Sequence, residues 1–143
     1  MNSSSIACLN IIRNYGLFLS EKYPPRVPDI IYFDVENSIY IDIEIDEPYS
    51  FMSKEPIHYD FVDTSRDYDF ITNGWRIIRF KEDDVVKKPQ DCLVFVEQVI
   101  NYIVMADSGN RTNIEKPATL VSPRWTIEDV KDLINQDYRG RLF

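Results

Sequence analysis

The chain has 143 residues, of which 44% are hydrophobic, and this is enough for one domain with a buried core. Its aromatic content argues against disorder, and no apolar run reaches the roughly 20 residues of a membrane span. The formal net charge of -8 excludes a generally basic surface, so a nucleic-acid ligand would need a local basic strip or a partner that supplies one.

The two cysteines and the N-terminus indicate a cellular compartment. Cys8 and Cys92 lie in apolar helical patterns and match neither a metal-binding nor a disulfide spacing. We therefore expect buried thiols in a reducing compartment. The N-terminus lacks the basic start of a signal peptide. These features predict a cytoplasmic protein with no membrane association.

Hydrophobic periodicity and the positions of Pro and Gly predict the elements of secondary structure. The predicted strands are residues 29–34, 38–46 and 75–80. The predicted helices are residues 5–21, 64–72, 82–86, 89–105 and 125–138, with loops at 47–61 and 107–122. In the helix 89–105, the side chains expected to face the core are Leu93, Val96, Val99, Ile100 and Ile103.

These elements predict an α/β fold in which a small mixed β-sheet is flanked by α-helices. We expect residues 1–143 to form a single domain, with a core over about residues 5–106 and a C-terminal helical extension over about 123–139. No internal repeat or low-complexity segment interrupts the chain.

The strand 38–46 carries the most informative pattern. Four isoleucines alternate with Tyr40 and three carboxylates, those of Asp42, Glu44 and Asp46. Because strand side chains alternate between faces, one face is apolar and the other carries carboxylates roughly 6–7 Å apart. No lysine lies in this stretch. We therefore expect compensation by a divalent cation, a raised carboxyl pKa or arginines from other elements.

Asp29 follows Pro28 at the start of the other strand of this hairpin. Hydrolysis of a phosphodiester needs a cation that activates water and stabilises charge on the phosphate. Mg²⁺ prefers one or two carboxylates, with waters and substrate oxygens completing its coordination. The hairpin therefore predicts a Mg²⁺ or Mn²⁺ site formed by Asp29, Glu44 and Asp46.

Several short motifs follow one another along the chain: Pro28-Asp29, Glu44-Ile45-Asp46, the lone His58, Asp63-Thr64-Ser65-Arg66, and the strand Gly74-Trp75-Arg76-Ile77-Ile78-Arg79-Phe80. This order resembles the PD-(D/E)xK nuclease superfamily, and within it the branch of very-short-patch-repair-like endonucleases. The similarity spans residues 28–80, about a third of the chain.

The resemblance implies a restriction-endonuclease-like fold and a Mg²⁺- or Mn²⁺-dependent endonuclease that acts on DNA. It implies metal ligation by Asp29, Glu44 and Asp46. His58 would act as general base or orient a water. The guanidinium of Arg66 would point at the carboxylates or the scissile phosphate, or else pair with Asp63 on the same helix.

The sequence departs from the superfamily pattern at the lysine, and the glycine that often follows the Glu-x-Asp motif is also absent, with Glu47-Pro48 in its place. The usual lysine, two residues after the acid, is replaced by Asp46. The pair Asp42 and Glu44, with Glu44 in the lysine position, therefore stays open as the catalytic pair. On the strand 75–80, Arg79 is the candidate partner of the acidic strand.

Two other functions stay open. The acidic charge and the missing lysine fit a catalytically inactive nuclease-fold protein that binds a basic protein partner or mimics DNA. A phosphoesterase acting on a small nucleotide is the third possibility. The sequence also leaves open a homodimer, and it does not distinguish DNA from RNA as substrate.

Overall fold

The structure, a computed structural model, describes residues 27–60, 62–107 and 124–142. Within these ranges the fold is mixed α/β, as predicted, and comprises β1 (Ile30–Asp34), β2 (Ile39–Asp46), α1 (Thr64–Thr72), β3 (Arg76–Lys81), α2 (Glu82–Lys87), α3 (Pro89–Asp107), α4 (Ile127–Asn135) and α5 (Tyr138–Leu142). None of the helices in these ranges combines the length and apolarity needed to cross a membrane. The predicted helix 5–21, Cys8 and residues 108–122 of the predicted loop 107–122 lie outside the described residues, whereas Asp107 is the last residue of α3.

The described strands form a mixed sheet in the order β1-β2-β3. β1 pairs antiparallel with β2 through a turn, and the carboxylate of Asp34 fixes this turn by accepting from both the backbone and the side chain of Asn37, at 3.1 and 2.7 Å. β2 pairs parallel with β3, which places Arg79 opposite Glu44. β2 is therefore the central strand, and its carboxylates lie in the middle of the sheet.

The isoleucine face of the sheet packs against α3. The shared core contains buried Ile41 and Ile43 of β2, Phe80 of β3, and Val96 and Ile103 of α3. Val99 and Ile100 pack against this core, as predicted. The prediction for Leu93 is wrong, because its side chain is 44% exposed where the first turns of α3 border an open apolar groove.

Helix α1 lies on the opposite, carboxylate face, where Arg66 and Phe70 are its buried residues. The helix ends at Thr72, as predicted, and Gly74 just beyond it has a left-handed φ of +83°, which suits glycine. At the other end Asp63 precedes the helix, and its side chain makes no capping hydrogen bond. Its carboxylate is instead used in the site described below.

The C-terminal helices pack against the loop that follows β2. Thr126 and Asp129 form the capping box that starts α4, and buried Trp125 and Val130 form a second core with Tyr49. The predicted helix end near Tyr138 is wrong: α4 stops at Asn135, and α5 starts after a turn in which Asp137 has a φ of +46°. The predicted division into a core and an extension stays a prediction.

Candidate functional site

The three carboxylates of β2 are buried between the sheet and α1. Asp42, Glu44 and Asp46 have relative exposures of 0%, 5% and 4%. An ionised carboxylate in such an environment is unfavourable unless it is paired or hydrogen-bonded. The partners of each carboxylate therefore decide which of the three carry charge.

Glu44 is held by Arg66 of α1. Both terminal nitrogens of the guanidinium donate to the two oxygens of the Glu44 carboxylate, with Nη2 lying 2.5 Å from Oε1. Burial alone would raise the pKa of Glu44, but the hydrogen-bonded guanidinium outweighs burial and holds the pKa below its usual value. Arg66 therefore points at the carboxylate row, and no ion pair joins it to Asp63.

Asp42 has no such partner. Within the described residues no N–H group donates to either oxygen of its carboxyl, its carboxyl neighbour is Glu44, and the nearest cation, Nη2 of Arg66, lies 3.5 Å from its Oδ2. Burial, with Glu44 close by, raises the pKa of Asp42 to about 9. Asp42 is therefore protonated and neutral at pH 7. One of the expected ways to relieve repulsion on this strand, a raised carboxyl pKa, is thus present.

Asp46 pairs with Arg79 of β3, the predicted partner of the acidic strand. Nη1 of Arg79 lies 2.6 Å from Oδ1 of Asp46, and its Nη2 lies 2.6 Å from Asp67 of α1. Burial raises the pKa of Asp46, although Arg79 and His58 oppose the shift. Arg79 therefore ties the end of β2 to α1.

His58 lies among three acidic side chains at the end of β2. Its Nδ1 is 3.1 Å from Oδ2 of Asp63 and 3.7 Å from Oδ1 of Asp46, and its Nε2 is 3.7 Å from Glu47. Burial disfavours the imidazolium, but these carboxylates, Asp63 first, outweigh burial and raise the pKa of His58. The side chains of Asp46, His58 and Asp63 each offer a ligand atom within 4.8 Å of the others.

Asp29 lies beside this row at the start of β1. Its Oδ2 accepts a hydrogen bond from the backbone N–H of Ile45 at 2.8 Å. Desolvation raises the pKa of Asp29, and the charges of Glu44, Arg66 and His58 also act on it. Within the described residues the compact group of ligand atoms is that of Asp46, His58 and Asp63. The set Asp29, Glu44 and Asp46 stays a prediction.

Sequence reasoning missed the residues that the C-terminal segment brings to the site. Nη2 of Arg124 donates to Oδ2 of Asp63 at 2.6 Å, the oxygen that also faces His58. The indole N–H of Trp125 donates to the backbone oxygen of Asp46 at 3.0 Å. These contacts join residues more than 60 positions apart. No spacing in the sequence could have revealed them.

No family model, curated protein or solved structure matches this chain. What the site can do chemically therefore follows from its own residues. Carboxylates and an imidazole are ligands for a divalent cation, and guanidinium groups neutralise phosphate oxygens.

Proposed function

We propose that this protein is a divalent-metal-dependent nuclease that hydrolyses DNA phosphodiester bonds. One observation carries the proposal: the buried carboxylates of the central strand lie beside a histidine and two arginines. Hydrolysis of a phosphodiester requires a cation site, a group that moves the proton of water and positive charge near the phosphate. The residues around β2 can supply all three.

The donor set fits Mg²⁺ or Mn²⁺. Asp29, Glu44 and Asp46 would hold the cation, as the sequence predicts, and His58 and Asp63 lie next to Asp46. An imidazole among carboxylates favours Mn²⁺ over Mg²⁺, because Mg²⁺ prefers oxygen ligands. When bound, such a cation supplies Lewis acidity and a water of lowered pKa.

His58 is proposed as the general base, with Asp63 positioning it. The imidazole, the Arg79 charge and Arg124 together outweigh desolvation and lower the pKa of Asp63, so its carboxylate is ionised and can only accept a hydrogen bond. Nδ1 of His58 must therefore be the donor in their 3.1 Å contact. Nε2 is then free to accept a proton whenever the imidazole is neutral.

The order of elements supports a restriction-endonuclease-like fold as part of this proposal. An antiparallel hairpin is followed by α1 and then by a strand parallel to β2. The carboxylates lie on the central strand, and the helix between β2 and β3 carries Arg66. The resemblance to very-short-patch-repair-like endonucleases rests on the same residues.

Cleavage of supercoiled plasmid DNA by the purified protein tests the proposal. We expect nicking that requires Mg²⁺ or Mn²⁺ and that Glu44→Gln abolishes, because glutamine cannot supply the negative charge of a ligand. Glu36→Gln, in the exposed β1–β2 turn, is the matched control and should cleave like the wild type. Equal cleavage by the Glu44→Gln protein would show that Glu44 is not part of the catalytic site.

A second candidate function is favoured by a specific observation. Arg66 and Arg79 neutralise Glu44 and Asp46 by ion pairing, as would suit an inactive nuclease fold that binds a basic protein. Failure of the wild type to cleave any nucleic acid in either metal would favour this candidate. Cleavage of a small phosphodiester, but of no nucleic acid, would favour a phosphoesterase.

A further inference from the structure

The guanidinium of Arg66 occupies the atoms that a metal ion would need. Its two terminal nitrogens face the two oxygens of the Glu44 carboxylate, and both side chains are nearly buried, at 10% and 6% exposure. A divalent cation bound to Glu44 would lie within a few ångströms of this positive charge. In a poorly solvated site such repulsion is strong. Arg66 and the cation therefore compete for Glu44.

The structure also contains places for a displaced guanidinium. Nη2 of Arg66 already lies 3.3 Å from the backbone oxygen of Val27 and 3.5 Å from Oδ2 of Asp42. In the part of the chain that the structure describes, no N–H group donates to the carboxyl of Asp42, whose side chain is 1% exposed. A buried carboxyl oxygen that accepts no hydrogen bond from an N–H group is under-satisfied, so Asp42 would gain from accepting one.

Arg66 can make this move without leaving its place on α1. The helix is anchored over the sheet by Phe70, whose ring lies 5.2 Å from Cζ of Arg66. Both Glu44 and Asp42 project from β2 toward α1, on the same face of the strand. A shift of the guanidinium along β2, from one carboxyl to the next, would therefore replace one set of hydrogen bonds by another.

We infer that Arg66 is the internal counter-cation of this site, which holds Glu44 when no divalent ion is bound and moves to Asp42 and Val27 when the ion binds. The inference rests on the proposed function, because it assumes that Glu44 binds the ion. Arg66 then sets the ion concentration at which the site fills.

Mn²⁺ affinity, measured by calorimetry at pH 8 in the absence of nucleic acid, tests this inference. Arg66→Gln should bind Mn²⁺ roughly tenfold more tightly than the wild type, or by about 1.4 kcal/mol, because the ion no longer has to displace the guanidinium from the Glu44 carboxylate. Arg66→Lys should bind with an intermediate affinity, since one ammonium cannot cover both oxygens. Arg76→Gln, which removes the same charge from an exposed position of β3, should bind like the wild type.

A comparison of two variants tests whether Asp42 accepts the hydrogen bond of the displaced guanidinium. Asp42→Asn keeps a side-chain oxygen for the displaced guanidinium, whereas Asp42→Ala removes it. We therefore expect weaker Mn²⁺ binding by Asp42→Ala than by Asp42→Asn. Equal affinities would show that the guanidinium does not move to residue 42.

The possible outcomes separate the inference from the proposed function. If the wild type binds Mn²⁺ and both Arg66 variants bind it equally or more weakly, the inference is wrong and the metal site stands. If neither the wild type nor any Arg66 variant binds Mn²⁺, the proposed metal site is wrong. If Arg66→Gln does not fold, the comparison of Arg66→Lys with the wild type decides.

Discussion

Asp42→Asn gives the most quantitative test of how the carboxylate row is held in the fold. In the folded protein, burial keeps Asp42 protonated up to a pKa of about 9, whereas its ordinary value is 3.8. Folding therefore takes up one proton at any pH between these values. Because the folded pKa is the higher one, stability is greatest at low pH and falls as the pH rises toward 9.

The size of this effect follows from linkage. One proton corresponds to about 1.4 kcal/mol in the free energy of unfolding for each pH unit. Between pH 5 and pH 8 Asp42 alone should therefore destabilise the fold by about 4 kcal/mol, a large share of the 5–15 kcal/mol typical of a domain. Asparagine has the same shape and no charge in either state, so Asp42→Asn should remove this loss.

Urea unfolding at pH 5, 6, 7 and 8 with EDTA measures the difference. With each unit of rising pH, the free energy of unfolding of Asp42→Asn should increase by about 1.4 kcal/mol relative to that of the wild type. Asp34→Asn is the control, because hydrogen bonds from Asn37 lower the pKa of Asp34 and its charge does not change above pH 5. Parallel pH profiles for Asp42→Asn and the wild type would show that Asp42 is ionised in the fold, and the burial argument would be refuted.

Three further substitutions test single contacts. Asp63→Asn should lower the pKa of His58, because the Asp63 carboxylate raises that pKa against the effect of burial. His58 is the only histidine, so NMR can follow its titration directly. An unchanged His58 pKa would contradict the positioning role of Asp63. In the wild type, the stability that His58 contributes should fall as the pH rises through its raised folded pKa. Trp125→Phe removes the 3.0 Å hydrogen bond to the backbone oxygen of Asp46 and should lower the free energy of unfolding by about 1 kcal/mol, as measured by chemical denaturation. An unchanged free energy of unfolding would mean that this hydrogen bond is not formed. Gly74→Ala should lower the free energy of unfolding by about 1–2 kcal/mol. The cause is the φ of +83° alone, since an added methyl group meets nothing within 4 Å. An unchanged melting temperature would contradict this backbone geometry.

The local elements could be predicted because their patterns are local. The alternation of isoleucines and carboxylates placed β2 to within one residue, and the predicted bounds 64–72 match those of α1. The pairing of Arg79 with the acidic strand also followed from the pattern, because Arg79 is a cation on a strand whose two faces both mix apolar and charged residues.

The rest depended on tertiary packing. Periodicity placed Leu93 on the inner face of α3, but it could not show that the first turns of this helix border an open groove. The end of α4 carries no glycine signal, because Asp137 adopts the positive φ instead. The sequence allowed Arg66 to pair either with the carboxylates of β2 or with Asp63. The packing of α1 on β2 selects the pairing with Glu44.

A crystal structure of the protein soaked in Mn²⁺, with anomalous scattering to locate the ion, tests the central claim most directly. We predict an ion bound by Glu44 and Asp46, with Asp29 as third ligand and with the guanidinium of Arg66 moved away from Glu44. An Mn²⁺ ion bound elsewhere, or none at millimolar concentration with Arg66 still on Glu44, would contradict the claim that these carboxylates form a metal site.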